Sequence, residues 1–245
     1  MAQAAATLRE VAGQGETDAF PASEAPLARP YEAVIAISRS GTTTEVTRYL
    51  NEVRGPRRIA IVGVPHSPVA DAADHVVTLE FADERSVVQT RFATSVLAFV
   101  RASLGEDVDE VAGQAEAVLD APLPLDPSEH DHYVFLGGGW SVGLANEAAL
   151  KLREAAGAWT ESYPAMEFRH GPISVVRRGS VVWALGGVDA TVMEAAATAG
   201  ATLVGGDLDP MVELVRVQRT AAALAEARGL DPDHPRNLTR SVVLS

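Results

Sequence analysis

The chain has no cysteine. Disulfides, thiolate metal ligands and a cysteine nucleophile are therefore excluded. Aromatic residues make up only 5%, so the core must be built mainly from Val, Leu, Ile and Ala. Basic charge is also scarce: 20 Lys and Arg stand against 33 Asp and Glu, for a formal net charge of −13. That balance argues against nonspecific nucleic-acid binding, which needs clustered basic charge, but it allows a local anion pocket. No apolar run approaches the roughly 20 residues of a membrane span. The start, MAQAAATLREV, has neither the basic nor the apolar region of a signal peptide. The expectation is a cytoplasmic protein.

What is present alternates between two periodicities. A helix is expected over 4–13, and short apolar runs rich in β-branched residues follow at 31–38, 57–64 and 75–81. Such runs fit strands covered on both faces. Helices are expected at 43–53, 67–74 and 87–105, between and after these strands. Next comes a polar amphipathic stretch, and then APLPLDPSEHDH, whose three prolines break any helix. The plan then repeats, with strands at 132–139, 180–187 and 202–207, helices at 141–157, 189–200 and 211–229, and an extended tail. This alternation predicts an α/β fold of two tandem αβα sandwiches around parallel sheets. The boundaries are 1–121 for the first, 122–130 for a linker and 131–245 for the second with its tail. The first sandwich is expected to lack its N-terminal strand, because no strand with a glycine-rich end precedes the first helix, whereas the second half opens with one.

Residues 36–46 read AISRSGTTTEV. A buried strand stops at a run of hydroxyls and a glycine, just where a helix begins. In an open parallel sheet ligands bind beyond the carboxyl ends of the strands. Free N–H groups and the positive dipole end of a helix start attract an anion there. Ser38, Ser40, Thr42 and Thr43 add donors, and Gly41 lets the backbone approach. The pattern is neither a Walker loop nor a GxGxxG turn. The alternative is that these hydroxyls are only helix N-caps.

The segment 146–172, NEAALKLREAAGAWTESYPAMEFRHGP, is the richest in chemistry. Glu147, Lys151 and Glu154 are spaced four and three apart and so share one helix face. A carboxylate beside a lysine can shuttle a proton between adjacent carbons. The same spacing also fits a solvated ladder of ion pairs. His170 follows before a Gly-Pro turn that can present its imidazole. The other histidines have no motif around them, and no spacing of ligands points to a metal. No cofactor is expected, because proton transfer next to a carbonyl needs only a positioned base and help in ring opening.

Together these stretches resemble the SIS (sugar isomerase) domain family, in the tandem form found among amino-sugar-phosphate isomerases and deaminases. SRSGTTTEV is similar to the family's S-x-S-G-x-T phosphate motif. The 146–172 segment is similar to E-x-A-L-K-L-x-E followed by E-x-x-H-G-P, and PRNLTRSVVL resembles the segment that closes the second domain. The resemblance covers nearly the whole chain. It implies that Ser38, Ser40 and Thr43 hold a sugar phosphate, with Arg39 contributing its backbone. It implies that Glu154 is the acid/base between C1 and C2, that Lys151 assists at the substrate hydroxyls, and that Glu147 supports the site. His170 would open the sugar ring, reaching into a neighbouring subunit's site, so a homodimer is implied. Arg240 stands where relatives that make amino sugars place a lysine. An arginine cannot serve there as a base or form a Schiff base, though it can bind an anionic intermediate. The glutaminase domain of those relatives and its N-terminal cysteine are absent, so no glutaminase activity is expected. The implied function is an amino-sugar 6-phosphate isomerase or deaminase. The alternative is a sugar-phosphate-binding protein without catalysis. Neither nucleic acid nor membrane is an expected partner.

Overall fold

The computed structural model describes residues 1–206 and 208–244. The expected end of a strand at Asp207, and the last tail residue, Ser245, lie outside the described residues.

The first half contributes α1 (Ala2–Val11), β1 (Ala33–Ser38), α2 (Thr44–Glu52), β2 (Arg57–Val62), α3 (Pro68–Asp71), β3 (His75–Thr78), α4 (Arg91–Ser103) and α5 (Asp109–Asp120). The second contributes β4 (His132–Gly137), α6 (Ser141–Ala156), β5 (Trp159–Pro164), β6 (Ser180–Leu185), α7 (Ala190–Thr198), β7 (Thr202–Val204) and α8 (Pro210–Ala227). The strands form two parallel sheets, one ordered β1-β2-β3 and the other β5-β4-β6-β7. In the first sheet, among the described residues, β1 has β2 as its only strand neighbour, and Ile35 is exposed on it.

Each sheet is covered on both faces, as the continuous apolar runs require. In the second, Tyr133 and Phe135 of β4 enter a core with Leu144, Leu152, Leu214 and Val217 of α6 and α8. Their neighbours Val134 and Leu136 point the other way, into a core with Val192 and Ala196 of α7. In the first sheet, Ala60 and Val62 pack with Leu50 and Val69 on one face, and Ile61 with Phe92 and Val96 on the other.

The halves meet through helices. Ala4 and Leu8 of α1 and Leu97 of α4 belong to the same core as α6 and α8. The crossing of α1 over α6 is close: a Cβ on Gly143 would lie 2.6 Å from the Ala4 nitrogen. Helix α5 lies against α8, where Arg219 Nη1 donates to the Val118 and Ala121 carbonyls.

Helix α5 occupies the stretch read only as polar and amphipathic, and two further elements differ from the sequence reading. Helix α4 starts at Arg91 and not near 87. The Glu84 carboxylate accepts from the Thr90, Arg91 and Phe92 N–H groups, which sets the first turn there. Strand β5 was assigned to no element, because its half-polar sequence WTESYP lies inside the charged motif. Its partner β4 supplies the apolar content of that sheet edge.

Candidate active site

The hydroxyl-rich loop follows β1. Ser38, Arg39 and Ser40 are buried, at 7%, 2% and 9% exposure. Gly41 turns with φ +65°, and a Cβ there would overlap the Ser67 side chain. Only glycine meets both demands. Ser40 Oγ accepts from the Thr42 N–H at 3.3 Å and the Thr42 hydroxyl at 3.1 Å, so its own proton remains to be donated. Thr43 stands at the N-cap of α2 but makes no capping bond through its side chain. Among the described residues, neither the Ser38 nor the Thr43 hydroxyl is spent within the chain. Simple capping therefore does not account for the run of hydroxyls.

Helix α6 carries the charged face toward the same loop. It ends cleanly at Gly157, in a left-handed conformation, with the Gly157 and Ala158 N–H groups bonded back to the Arg153 and Leu152 carbonyls. Leu144, Ala148, Leu152 and Ala155 are buried in the core, which fixes the rotation of the helix. The charged face then meets α4 and the end of β1. Lys151 Nζ lies 2.5 Å from Glu154 Oε2 and 3.4 Å from Glu147 Oε1, and only 4% of its side chain is exposed. The contact with Glu154 is one of charge, because Glu154 Oε2 accepts no well-aligned hydrogen bond. Ion pairs at this spacing on a solvated helix contribute only tenths of a kcal/mol. A buried ammonium between two carboxylates is a different object, costly to desolvate and dependent on both partners. Lys151 is also the only lysine in the chain, whose other basic side chains are all arginine.

A cleft of about 380 Å³ joins these groups. Ser38, Arg39, Ser40 and Thr43 line it from the loop, Glu147, Lys151 and Glu154 from α6, and Arg240 from the tail. Arg240 is fastened, its Nη2 bonded to both Asp83 carboxylate oxygens at 2.6 and 2.8 Å and its Nη1 to the Glu84 carbonyl. His170 is not in the cleft. It sits exposed at the end of a short 3₁₀ turn over Glu167–His170, where the Gly-Pro turn does present its ring to solvent.

Sequence reasoning missed Val87 and Gln89, which line the cleft from the loop before α4, and Asp83, which holds Arg240. None stands in a pattern of its own. It also assigned Arg39 a backbone role only. The Arg39 side chain is buried and donates to three carbonyls, those of Glu84, Ser86 and Arg240. Burial holds its pKa below the ordinary arginine value, with the nearby Arg240 charge adding to the effect. A second, shallower hollow of about 650 Å³, lined by His130, Asp131, Arg177 and Arg178, lies at the amino ends of the second sheet. That is the end of a parallel sheet away from its usual ligands.

Comparisons with known proteins bear on the fold and the family. Residues 7–104 match the family described as SIS domain. Over 252 residues the chain is 29% identical to a glutamine–fructose-6-phosphate aminotransferase (isomerizing) of Sulfurisphaera tokodaii, covering 87% of this chain and 42% of that one. It is 32% identical over 189 residues to the aminotransferase of the same name in Chlamydia trachomatis, covering 66% and 31%. The chain thus spans less than half the length of these relatives. Among solved structures, glucosamine-6-phosphate deaminase from Thermotoga maritima superposes with a TM-score of 0.82 at 26% identity, over 99% of this chain and 87% of that one. Tagatose-6-phosphate ketose/aldose isomerase from Escherichia coli shares the fold, with a TM-score of 0.78 at 18% identity, over 96% and 83%.

Proposed function

We propose, on the premise that residues 7–104 belong to the SIS domain family, that this protein is an amino-sugar 6-phosphate isomerase or deaminase. The observation that carries the reading is the shared cleft: unspent hydroxyls and a helix start at one side, a carboxylate–lysine–carboxylate face at the other. Ser38, Ser40 and Thr43 hold the phosphate. Glu154 takes the proton from C2 of the opened sugar and returns it at C1. Where the substrate carries an amine at C2, water is consumed and ammonia leaves. Lys151 orients Glu154 and reaches the substrate hydroxyls, and Glu147 balances the lysine charge. His170 acts from a second copy of the chain, because on its own copy it lies outside the cleft. This makes the active unit a homodimer of two-sheet subunits, each read as tandem SIS units over 1–121 and 131–245.

The test is deuterium uptake at C2 from solvent, followed by NMR with hexose and hexosamine 6-phosphates. Uptake that is abolished by Glu154→Gln, with phosphate-ester affinity retained, is the expected result. A loss of about 10³-fold fits removal of a general acid/base. No uptake with any ester in the panel would sink the proposal.

A second reading has its own observation. Arg240 is held bidentately by Asp83, and an arginine cannot become neutral to attack a carbonyl. A protein that binds sugar phosphates without turning them over also accommodates it. Saturable binding with no exchange at C2 selects that reading.

A further inference from the structure

Arg39 is 2% exposed, yet among the described residues no carboxylate is in contact with it. Its guanidinium instead joins two segments far apart in sequence. Nη1 donates to the Glu84 carbonyl at 3.0 Å and to the Ser86 carbonyl, and Nη2 donates to the Arg240 carbonyl at 3.0 Å. Among the described residues its Nε has no partner. The same tail is tied to the first half at two further places. The Val87 N–H donates to the Asp233 carbonyl, the Thr44 N–H to the Val242 carbonyl, and the Leu244 N–H to Thr44 Oγ1. The tail therefore runs from the loop before α4, over Arg39, to the first residue of α2. Ser38 and Ser40 flank Arg39 on the chain, so one backbone conformation aims both the hydroxyls and the guanidinium.

We propose that Arg39 is a positioning residue: its buried guanidinium holds the 84–86 loop and the C-terminal tail against the anion loop, and so sets the width of the cleft. The inference deepens the functional reading above and rests on it for the identity of the anion. A buried cation satisfied by carbonyls alone is costly, and fastening three segments is what it does in return. A fork of parallel donors can span carbonyls on separate segments, whereas a lysine ammonium acts as a point charge.

The experiment compares wild type, Arg39→Gln, Arg39→Lys and Arg39→Ala by trypsin cleavage after Arg236 and Arg240, read by mass spectrometry, alongside affinity for glucosamine 6-phosphate. Cleavage in the tail is expected to accelerate about tenfold in the Gln and Lys variants, and ester affinity to fall by a similar factor, since coupling between two sites is reciprocal. Ethylguanidinium added to Arg39→Ala should slow cleavage again. Tail cleavage at the wild-type rate in Arg39→Lys would overturn the proposal, since charge and bulk alone would then suffice. Should Arg39→Gln not fold, the Lys variant and the ethylguanidinium rescue still decide. If wild type binds no phosphate ester, the functional reading fails, while the cleavage rates still judge the role of Arg39.

Discussion

Lys151 shows how far one side chain's meaning depends on what surrounds it. Its spacing from Glu147 and Glu154 fits both a solvated ladder and a chemical site, and the letters alone do not choose between them. Burial of Lys151 at 3% exposure chooses. Replacing it with methionine leaves two partly buried carboxylates facing each other, and should cost about 3 kcal/mol in a urea melt. Arginine at the same position keeps the charge but not the compact head, so Lys151→Arg should melt closer to wild type while exchange at C2 still falls at least about tenfold. Equal melting of the Met variant and wild type would return the pair to the solvated class. Away from the cleft, Arg58 holds the Asp74 carboxyl at about 2. A depressed carboxylate stabilises the fold above its unfolded value and loses that contribution as pH falls through about 2. Asp74→Asn should therefore lower stability at neutral pH and flatten the acid limb of the profile, the two proteins converging as pH falls toward 2 in acid-titrated urea melts.

At the level of elements, the strands with continuous apolar sequence and the helices with clear ends were legible, because burial on both faces leaves a composition that local rules detect. Strand β5 was not legible, since an edge strand with residues such as Glu161 and Ser162 borrows its stability from β4. The start of α4 was missed because its cap, Glu84, lies six residues before Thr90 and outside any short capping pattern. Pairings such as Arg39 with the tail carbonyl span 201 residues and involve backbone oxygen, which leaves no trace in residue type. The crossing of α1 and α6 offers a test at this scale. Gly143→Leu has no room beside Ala4, and overpacking of this kind costs about 1–3 kcal/mol. Helix α1 should come away from α6, and protection from hydrogen exchange at Ala4–Leu8 should fall more than anywhere in the second sheet. Uniform loss of protection would mean that α1 is not a separable element.

The whole molecule places two sheets on either side of a helical layer, with the hydroxyl-rich loop contributed by one and the Glu147–Lys151–Glu154 face by the other. A cleft assembled this way was foreseeable as two motifs but not as one site, because it takes the packing of α4 on α1 and of α1 on α6 to bring them together. The role proposed for His170 would extend the same logic to two chains. Subunits carrying Glu154→Gln and subunits carrying His170→Ala should each be inactive alone. After mixing and exchange, half of the dimers are hybrids with one intact and one doubly altered site, so about a quarter of wild-type activity should return. Absence of any recovery, with hybrid formation verified by mass spectrometry, would confine His170 to its own subunit, and full activity of His170→Ala alone would place it outside the reaction.

The lone lysine has a practical corollary. Arginine's guanidinium does not react with succinimidyl esters or acetylating reagents under conditions that modify amines, and the chain's one ε-amine is shut inside the cleft. The folded surface therefore offers such reagents no side-chain foothold. A label that does arrive at Lys151 reports that the cleft has opened. Lysine-directed tags of the acetyl or isopeptide kind meet the same closed door, so the protein's susceptibility to them should track the occupancy of its own ligand site.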